Sequence, residues 1–326
     1  MSTKEELLLV GRLFGSPNSK LNKLFNLTMI EDFSQVQEIT PDYANKLRAI
    51  VVGMVGSGHV SNVAVNSIFL DKFSNLEIVA VLGVGCDHID VNAAAQRGVT
   101  ITNTPDVNTE EVADTAMGML LGTVRQIPQA DRFLRAGRWP NEMFPLTGTL
   151  RGKRLGILGL GRIGKAVARR AEPFGLDILY HGRNKQSEVP YTYYDTAIKL
   201  AAAADILMVI VPGGEATKDL VNAAMLNALG VGGVLLNVSR GSVVDEEALI
   251  TALKENTISA AGLDAFVNEP YVSEDLIARD NVVLLPHIGS GTHHTRELMS
   301  QGVFQNIKHW SEENPVPNPV FPGQQT

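Results

Sequence analysis

The sequence has 326 residues, of which 44% are hydrophobic and 19% are charged, a balance typical of a soluble globular protein with room for two domains. The formal net charge of −7 predicts no basic face and argues against nucleic acid as a partner. Cys86 is the only cysteine, which excludes an internal disulfide and suits a reducing compartment. The apolar runs are too short for a signal peptide or a bilayer span, so we expect a cytoplasmic protein without a membrane partner.

The first hundred residues form a predicted α/β block. Apolar and amphipathic runs alternate there, with strands expected over 7–13, 49–55 and 78–82 and helices over 61–73 and 91–97. Such alternation favours a parallel sheet. Val84 and Gly85 follow the third strand, at the carboxyl end where open α/β sheets bind ligands, and their backbone N–H groups could hold a small carboxylate.

A short strand over 98–101 precedes a long helical pattern over 109–137. We expect Pro128 to kink this helix, because proline lacks the backbone N–H that an internal helical position requires. The Met and Leu content of the pattern is high for a surface helix. Packing within one subunit and a dimer interface both explain that content, and we favour the dimer interface.

The segment 151–185 carries the clearest motif of the chain. An apolar run over 155–158 predicts a short buried strand, and Gly159, Gly161 and Gly164 follow it as G-x-G-x-x-G. Apolar residues then recur at helical spacing. In this order the glycines allow a tight turn, close approach of a pyrophosphate, and close packing of helix on strand. The pattern predicts a dinucleotide-binding unit with the phosphates at the helix N-terminus.

The end of the next strand selects the dinucleotide. NAD sites usually carry Asp or Glu there, where the carboxylate binds the ribose 2′-OH. This chain has His181, Gly182, Arg183, Asn184 and Lys185 instead. Arg183 and Lys185 would attract a 2′-phosphate, so we expect NADP(H) to be preferred, with NAD(H) possible. The alternative is that these two residues form an ordinary solvated loop.

Later strands each end near a polar group, and three of these groups carry complementary chemistry. Arg240 follows the strand over 233–238, Glu269 lies past a strand that ends at Asp264, and His287 follows the strand over 282–285. Hydride transfer to a ketone needs a proton donor, for which His is the usual choice. It also needs a cation for the substrate carboxylate, which the planar fork of Arg provides.

Each of these three residues has a structural alternative when it is considered alone: a surface ion pair for Arg240, a plain loop for Glu269, and a structural histidine for His287. Their joint position downstream of a dinucleotide fingerprint favours the catalytic interpretation. Val211 and Pro212, at the end of the strand that starts at 206, could lie under the cofactor. We expect His293 and His294 on the surface, and no spacing predicts a metal site.

With these motifs in order, the chain resembles the D-isomer-specific 2-hydroxyacid dehydrogenases. The matching pieces are VGCDHID (84–90), GLGRIG (159–164), NVSRGSVVDEEAL (237–249), GLDAFVNEP (262–270) and LLPHIGSGT (284–292). Within the family, residues 138–170 look like glyoxylate/hydroxypyruvate and hydroxyphenylpyruvate reductases. The resemblance implies two doubly wound parallel-sheet domains: a Rossmann-type NAD(P)-binding domain (102–287) inserted into a flavodoxin-like substrate-binding domain (1–101 and 288–326), with the active site in the cleft between them.

The resemblance also implies residue roles. Arg240, Glu269 and His287 would be catalytic, and Val84 and Gly85 would bind the substrate carboxylate together with Arg240 and His287. The expected cofactor contacts lie along one edge of the second domain: Gly159, Gly161, Arg162, Ile163, Gly164, Gly182, Arg183, Asn184, Val211, Pro212, Val238 and Asp264, the last near the nicotinamide amide. A homodimer built on the helix after the hinge is implied as well.

The function expected from this is reduction of a 2-oxo acid of the glyoxylate or hydroxypyruvate type to a D-2-hydroxy acid by NADPH, with His287 as proton donor. Hydroxyphenylpyruvate or 2-ketogluconate reduction is an alternative within the family. A nucleotide-sensing binding protein, like the corepressors that share this fold, is an alternative of another class. An NAD-linked phosphoglycerate dehydrogenase is disfavoured by the missing acidic residue near His181.

Overall fold

The computed structural model of the chain describes residues 4–55 and 64–323. The chain divides into two compact units: a first unit made of Met1–Asn108 with Gly291–Thr326, and a second unit, Thr109–Ser290, that is inserted between those two segments. Each unit contains its own sheet, and among the described residues the first sheet has six strands and the second has seven.

The amino-terminal part of the first unit alternates strands and helices as expected. Its strands are β1 (Glu6–Val10), β2 (Asn26–Ile30), β3 (Leu47–Val52), β4 (Ile78–Val81) and β5 (Thr100–Thr102), and its helices are α1 (Pro17–Leu24), α2 (Pro41–Ala44), α3 (Ser67–Asp71) and α4 (Val91–Gln96). The strands predicted by apolar runs are confirmed as β1, β3 and β4. Strand β2 was not predicted, because at the sheet edge none of its residues is fully buried and no apolar run marks it. The helix predicted over 61–73 is shorter than expected: α3 begins after its cap residue Asn66, residues 64–66 and 72–73 are not helical, and residues 61–63 lie outside the described ranges.

The long helix predicted at the start of the second unit is two helices, so the expectation of one kinked helix was wrong. α5 spans Thr109–Val124 and α6 spans Ile127–Arg135. Between them Gln126 adopts a left-handed backbone with φ of 52°, and Pro128 lies in the first turn of α6. Proline is tolerated in a first turn because its missing N–H would have no partner there. It therefore starts the second helix and does not bend the first.

The sheet of the second unit consists of seven parallel strands in the order β12-β11-β10-β9-β6-β7-β8. Its further elements are β6 (Arg154–Leu158), α7 (Arg162–Ala171), β7 (Asp177–His181), β8 (Thr192–Tyr193), α8 (Ala197–Ala203), β9 (Ile206–Val209), α9 (Ala223–Leu229), β10 (Val234–Asn237), α10 (Glu246–Lys254), β11 (Ala260–Leu263), α11 (Glu274–Ile277) and β12 (Val282–Leu284). The strand order reverses between β6 and β9. Ligands of doubly wound sheets bind beyond the carboxyl ends of the strands at such a switch point.

The carboxyl-terminal segment completes the first unit. α12 (His293–Ser311) is capped by Thr292, whose hydroxyl accepts the Thr295 N–H. β13 (Pro319–Val320) pairs antiparallel with β5. Within the proline-rich tail, Pro319 and Val320 are therefore extended. Buried apolar residues of α12 pack on one face of the first sheet.

Both faces of the second sheet are covered, which explains the near-continuous apolar strands. Alternate residues of one strand enter different cores: Leu236 packs on one face and Leu235 on the other. Met117, Met119 and Leu120 of α5 are buried in the first of these cores, so packing within the subunit accounts for their apolar character, and the favoured explanation by a dimer interface was wrong for these residues. Among the described helices, none is long and apolar enough to cross a bilayer.

Candidate active site

The glycine fingerprint follows β6 at the switch point of the second sheet. Gly159 has a φ of 103°, and a Cβ there would stand 2.7 Å from the Ile210 carbonyl oxygen. A Cβ on Gly164 would stand 2.3 Å from the carbonyl oxygen of Gly159. By contrast, a Cβ on Gly161 would meet no atom within 4 Å. The chain itself thus needs glycine at 159 and 164, while the bare backbone at Gly161 leaves space that a ligand can enter.

Helix α7 presents its N-terminus directly beside that space. Its cap residue is Gly161, which has no side chain to occupy the first N–H groups, and Arg162 and Ile163 form its first turn. The first N–H groups of a helix lack intrahelical partners and carry partial positive charge. Residues 159–164 therefore fit the pyrophosphate of a dinucleotide, as the sequence predicts.

The loop after β7 is tied to the fingerprint at both ends. The Gly159 N–H donates to the His181 carbonyl oxygen at 2.9 Å, and Gln186 Nε2 donates to the Leu160 carbonyl oxygen at 2.8 Å. The Tyr193 hydroxyl donates to the Gly182 carbonyl oxygen at 3.3 Å. These bonds fix the ends of a loop whose middle is open to solvent.

The exposed middle of this loop is basic. Arg183, Asn184 and Lys185 are exposed, and in the described part of the chain neither Arg183 nor Lys185 forms an ion pair. Uncommitted cations next to a pyrophosphate site are suited to a 2′-phosphate. Further along the same strand edge, Val211, Pro212 and Val238 are half-buried just past β9 and β10. The residues present fit a dinucleotide along the whole edge.

Glu269 and His287 form a direct pair past the carboxyl ends of β11 and β12. Glu269 Oε2 lies 2.8 Å from His287 Nδ1, and Glu269 Oε1 accepts the Phe266 N–H at 2.9 Å. The Glu269 side chain is 9% exposed and the imidazole is 27% exposed. Because a carboxylate only accepts, Nδ1 carries a proton and donates it. Nε2 is therefore the ring atom that can exchange a proton with a substrate.

Arg240 lies on a tight turn past β10, the neighbour of β11. Asn237, fully buried at the end of β10, accepts from the Ser239 N–H and hydroxyl and donates through Nδ2 to the Arg240 carbonyl oxygen at 2.9 Å. At the next position, a Cβ on Gly241 would stand 1.9 Å from the Phe266 carbonyl carbon. The turn of Arg240 therefore packs on the backbone that also binds Glu269.

The structure brings the three predicted catalytic residues to one edge of the sheet, because β10, β11 and β12 are adjacent and parallel. Sequence reasoning missed Asn237 and Gly241, which shape the turn that carries Arg240. A buried amide at a strand end, followed closely by glycine, was the available signal.

Asp264 is buried directly after β11. Its Oδ1 accepts the Ile288 N–H at 2.7 Å and its Oδ2 accepts the Gly289 N–H at 2.8 Å. Burial raises the pKa of this carboxyl, although the Ile288 N–H and the nearby His287 oppose the rise. The carboxylate thus secures the backbone after His287, which has a left-handed φ of 52°. The predicted contact to a nicotinamide amide is a separate role for Asp264 and stays a prediction.

Val84 and Gly85 lie in the first unit, in the turn after β4. The Val84 carbonyl oxygen accepts from Asn103 Nδ2 at 2.8 Å, and the Gly83 N–H donates to the Thr104 hydroxyl at 3.0 Å. The N–H groups of Val84 and Gly85 form no hydrogen bond within the described residues. They are available to an anion, and their assignment to the substrate carboxylate stays a prediction.

Comparison with known proteins adds independent information. The family model "D-isomer specific 2-hydroxyacid dehydrogenase, NAD binding domain" matches residues 117–289, more than half of the chain. Glyoxylate/hydroxypyruvate reductase A of Arabidopsis thaliana is 42% identical over 294 residues, 90% of this chain and 92% of that protein. Hydroxyphenylpyruvate reductase of Plectranthus scutellarioides is 43% identical over 277 residues, 85% of this chain and 86% of that protein.

A solved structure matches over almost the entire length. The NADPH-dependent glyoxylate/hydroxypyruvate reductase of Sinorhizobium meliloti, in complex with NADP and malonate, superposes with a TM-score of 0.90 at 45% identity. The match covers 98% of this chain and 97% of that one.

Proposed function

This chain belongs to the D-isomer-specific 2-hydroxyacid dehydrogenase family, and from that premise we propose that it reduces a small 2-oxo acid of the glyoxylate or hydroxypyruvate type with NADPH. The product is the D-2-hydroxy acid. Family membership confirms the resemblance seen in the motifs. The observation that carries the proposal is the Glu269–His287 pair at the strand edge that also bears Arg240. We propose further that the enzyme acts in the cytoplasm as a homodimer.

The chain's own residues account for binding and proton transfer. When bound, the dihydronicotinamide supplies hydride to the substrate carbonyl carbon. Arg240 binds the substrate carboxylate and polarises the carbonyl. His287 Nε2 donates a proton to the carbonyl oxygen, while Glu269 holds Nδ1 and balances the charge of the protonated ring. Reduction therefore requires protonated His287 and oxidation requires the neutral ring, so the two directions have opposite pH dependences.

NADPH is favoured over NADH by the loop after β7. Arg183 and Lys185 are exposed and uncommitted, and the corresponding strand end carries His181 where NAD sites usually carry a carboxylate. The Sinorhizobium meliloti relative is named as NADPH-dependent and was solved with NADP, which supports the same preference here.

The test is a substrate panel against both cofactors. Glyoxylate, hydroxypyruvate, hydroxyphenylpyruvate and 2-ketogluconate are offered with NADPH or NADH, and loss of reduced-nicotinamide absorbance is followed. We expect the highest kcat/KM with NADPH and one of the two smallest acids. The His287→Gln variant should lose roughly 10²-fold or more in kcat. His294→Gln, an exposed histidine on α12, is the matched control.

Two results would contradict this proposal. Tight cofactor binding without turnover of any 2-oxo acid would favour a nucleotide-sensing binding protein. A higher kcat/KM with NADH for every acid would refute the cofactor preference while leaving the reaction class intact.

The homodimer is supported by an exposed apolar surface on α6 and the segment that follows it. Leu134 and Trp139 are exposed, Met143 is 82% exposed and Leu146 is 92% exposed. Phe144 packs edge-on against Phe133 of α6 with ring centroids 5.4 Å apart, which holds the segment on the helix. Several large exposed apolar side chains on one helix and the segment after it are typical of a protein–protein interface.

Charge introduced into this surface tests the dimer. The double variant Met143→Glu and Leu146→Glu should sediment as a monomer where the wild type sediments as a dimer, because two buried carboxylates would oppose association. Val231→Glu is the matched control, since Val231 is 89% exposed in the turn between α9 and β10. A wild-type protein that sediments as a monomer would refute the proposal.

A further inference from the structure

His181 ends β7 at the position that discriminates between dinucleotides. It lies about 20 residues past the fingerprint, where NAD-selective folds usually carry the acidic residue that binds the ribose 2′-OH. Strand pairing sets His181 beside Leu158, the last residue before the fingerprint, and the His181 carbonyl oxygen accepts the Gly159 N–H at 2.9 Å. The backbone of this histidine is therefore bonded to the turn that receives the cofactor.

The imidazole of His181 is held in one tautomer. Its Nδ1 lies 2.8 Å from the Tyr194 carbonyl oxygen, and a carbonyl oxygen only accepts, so Nδ1 is the protonated nitrogen. The ring also stacks on Tyr193, with centroids 6.3 Å apart and an interplanar angle of 20°. The Tyr193 ring is in turn fixed by its hydroxyl bond to the Gly182 carbonyl oxygen.

Because Nδ1 keeps its proton, Nε2 is the ring nitrogen of His181 that can gain or lose one. It forms no hydrogen bond within residues 4–55 and 64–323, and the side chain is partly exposed. In the neutral ring Nε2 carries a lone pair and accepts a hydrogen bond. In the protonated ring it carries N–H and a share of positive charge, and it donates.

We propose that His181 Nε2 contacts the 2′ substituent of the adenine ribose and makes the cofactor preference depend on pH. This inference rests on the proposed NADP(H) function. The neutral ring accepts from the 2′-OH of NAD(H), in place of the usual carboxylate. The protonated ring donates to the 2′-phosphate of NADP(H) and adds a third positive charge to those of Arg183 and Lys185.

The elements around this ring also carry other titratable or charged residues: Asp177 and Tyr180 on β7, Arg183, Lys185 and Glu188 in the loop, Tyr193, Tyr194 and Asp195 on and after β8, and Arg162 and Lys165 on α7. Histidine alone among these residue types changes charge between about pH 5 and 8. The 2′-phosphate itself gains its second negative charge near pH 6, which strengthens its attraction to fixed cations as pH rises. The effect of His181 has the opposite sign, so the two can be separated.

The experiment measures Kd for NADP⁺ and NAD⁺ by calorimetry on the full chain between about pH 5.5 and 8.5. Wild type is compared with His181→Asn and His181→Gln, which keep hydrogen-bonding capacity and cannot titrate. His294→Asn is the matched control on an exposed helix turn. In both His181 variants the preference for NADP⁺ should rise with pH. We express this preference as the Kd for NAD⁺ divided by the Kd for NADP⁺. Over the same pH range the ratio should rise roughly 3- to 10-fold less in the wild type than in the variants, or should fall.

Equal pH slopes in wild type and both variants would overturn the inference. A wild type that prefers NAD⁺ at every pH would refute the proposed NADPH preference, and the difference in slopes would still test His181. As a measurement that needs no variant, NMR of ¹⁵N-histidine-labelled protein should show an Nε2 resonance of His181 that moves when 2′-AMP is added and moves less with 5′-AMP. No difference between the two nucleotides would also overturn the inference.

Discussion

Replacing Glu269 by glutamine removes one charge from the catalytic pair while it preserves the shape of the side chain. In the wild type both carboxylate oxygens are used, Oε1 by the Phe266 N–H at 2.9 Å and Oε2 by His287 Nδ1–H at 2.8 Å. Glutamine has only one acceptor oxygen. Because the Phe266 N–H has to keep an acceptor, the amide NH₂ is turned toward His287.

The rotated amide forces the wrong tautomer on the histidine. A donor facing Nδ1 requires Nδ1 to accept, which moves the neutral proton to Nε2 and disfavours the doubly protonated ring. Loss of a charge-assisted bond is worth about 1.5–3 kcal/mol, or roughly 10- to 150-fold in rate. Loss of general acid–base function costs roughly 10²–10⁴-fold. We therefore expect kcat to fall by about 10²–10⁴ in both directions of the reaction.

The assay is steady-state turnover of NADPH with the best 2-oxo acid, together with the reverse reaction and a fluorescence titration of NADPH binding. Cofactor affinity should stay within about twofold, since the two bonds of Glu269 described above hold Phe266 and His287 and involve none of the residues that fit the cofactor. Glu274→Gln, the same chemical change at an exposed position on α11, is the control. If Glu269→Gln folds normally and keeps kcat within tenfold of the wild type, the tautomer argument is wrong.

Four further substitutions probe the fingerprint, acid stability and the Arg240 turn. Gly161→Ala should weaken NADPH binding about tenfold or more with little loss of stability. Gly164→Ala should lower the melting temperature, because the new Cβ at position 164 would stand 2.3 Å from a carbonyl oxygen. Equal melting temperatures of the two variants would contradict this. Although burial opposes it, the Arg154 N–H and side chain and Lys153 lower the pKa of Asp205. Its ionised form therefore stabilises the fold above about pH 4, and this contribution is lost as pH falls through the lowered pKa. The free energy of unfolding, measured in urea, should therefore decrease less on acidification in Asp205→Asn than in the wild type. Asn237→Leu should lower the free energy of unfolding by about 2–4 kcal/mol, because buried polar groups of the turn lose their partner. It should also raise KM for the 2-oxo acid, because the turn that carries Arg240 loosens. An unchanged KM would show that this turn does not affect substrate binding.

The sequence by itself determined the parallel α/β architecture, the dinucleotide fingerprint and the identity of the polar groups at the strand ends. These features are local. Gly159 is required by its positive φ and Gly164 by a contact within the same strand–turn–helix unit, and buried parallel strands appear as apolar runs of a few residues. Because parallel strands share a carboxyl edge, the order of the motifs was enough to predict that Arg240, Glu269 and His287 lie along one edge.

Only the tertiary structure decided how those groups are held. The left-handed backbone at Gln126 divides a continuous helical pattern, and β2 forms at a sheet edge without an apolar run. Asp264 bonds the backbone of residues 288 and 289, which come 24 and 25 positions later in the chain. Such bonds depend on which strands become neighbours and on which buried donors then need acceptors. No periodicity in the sequence encodes that pairing, because it is settled by packing between segments that are distant along the chain.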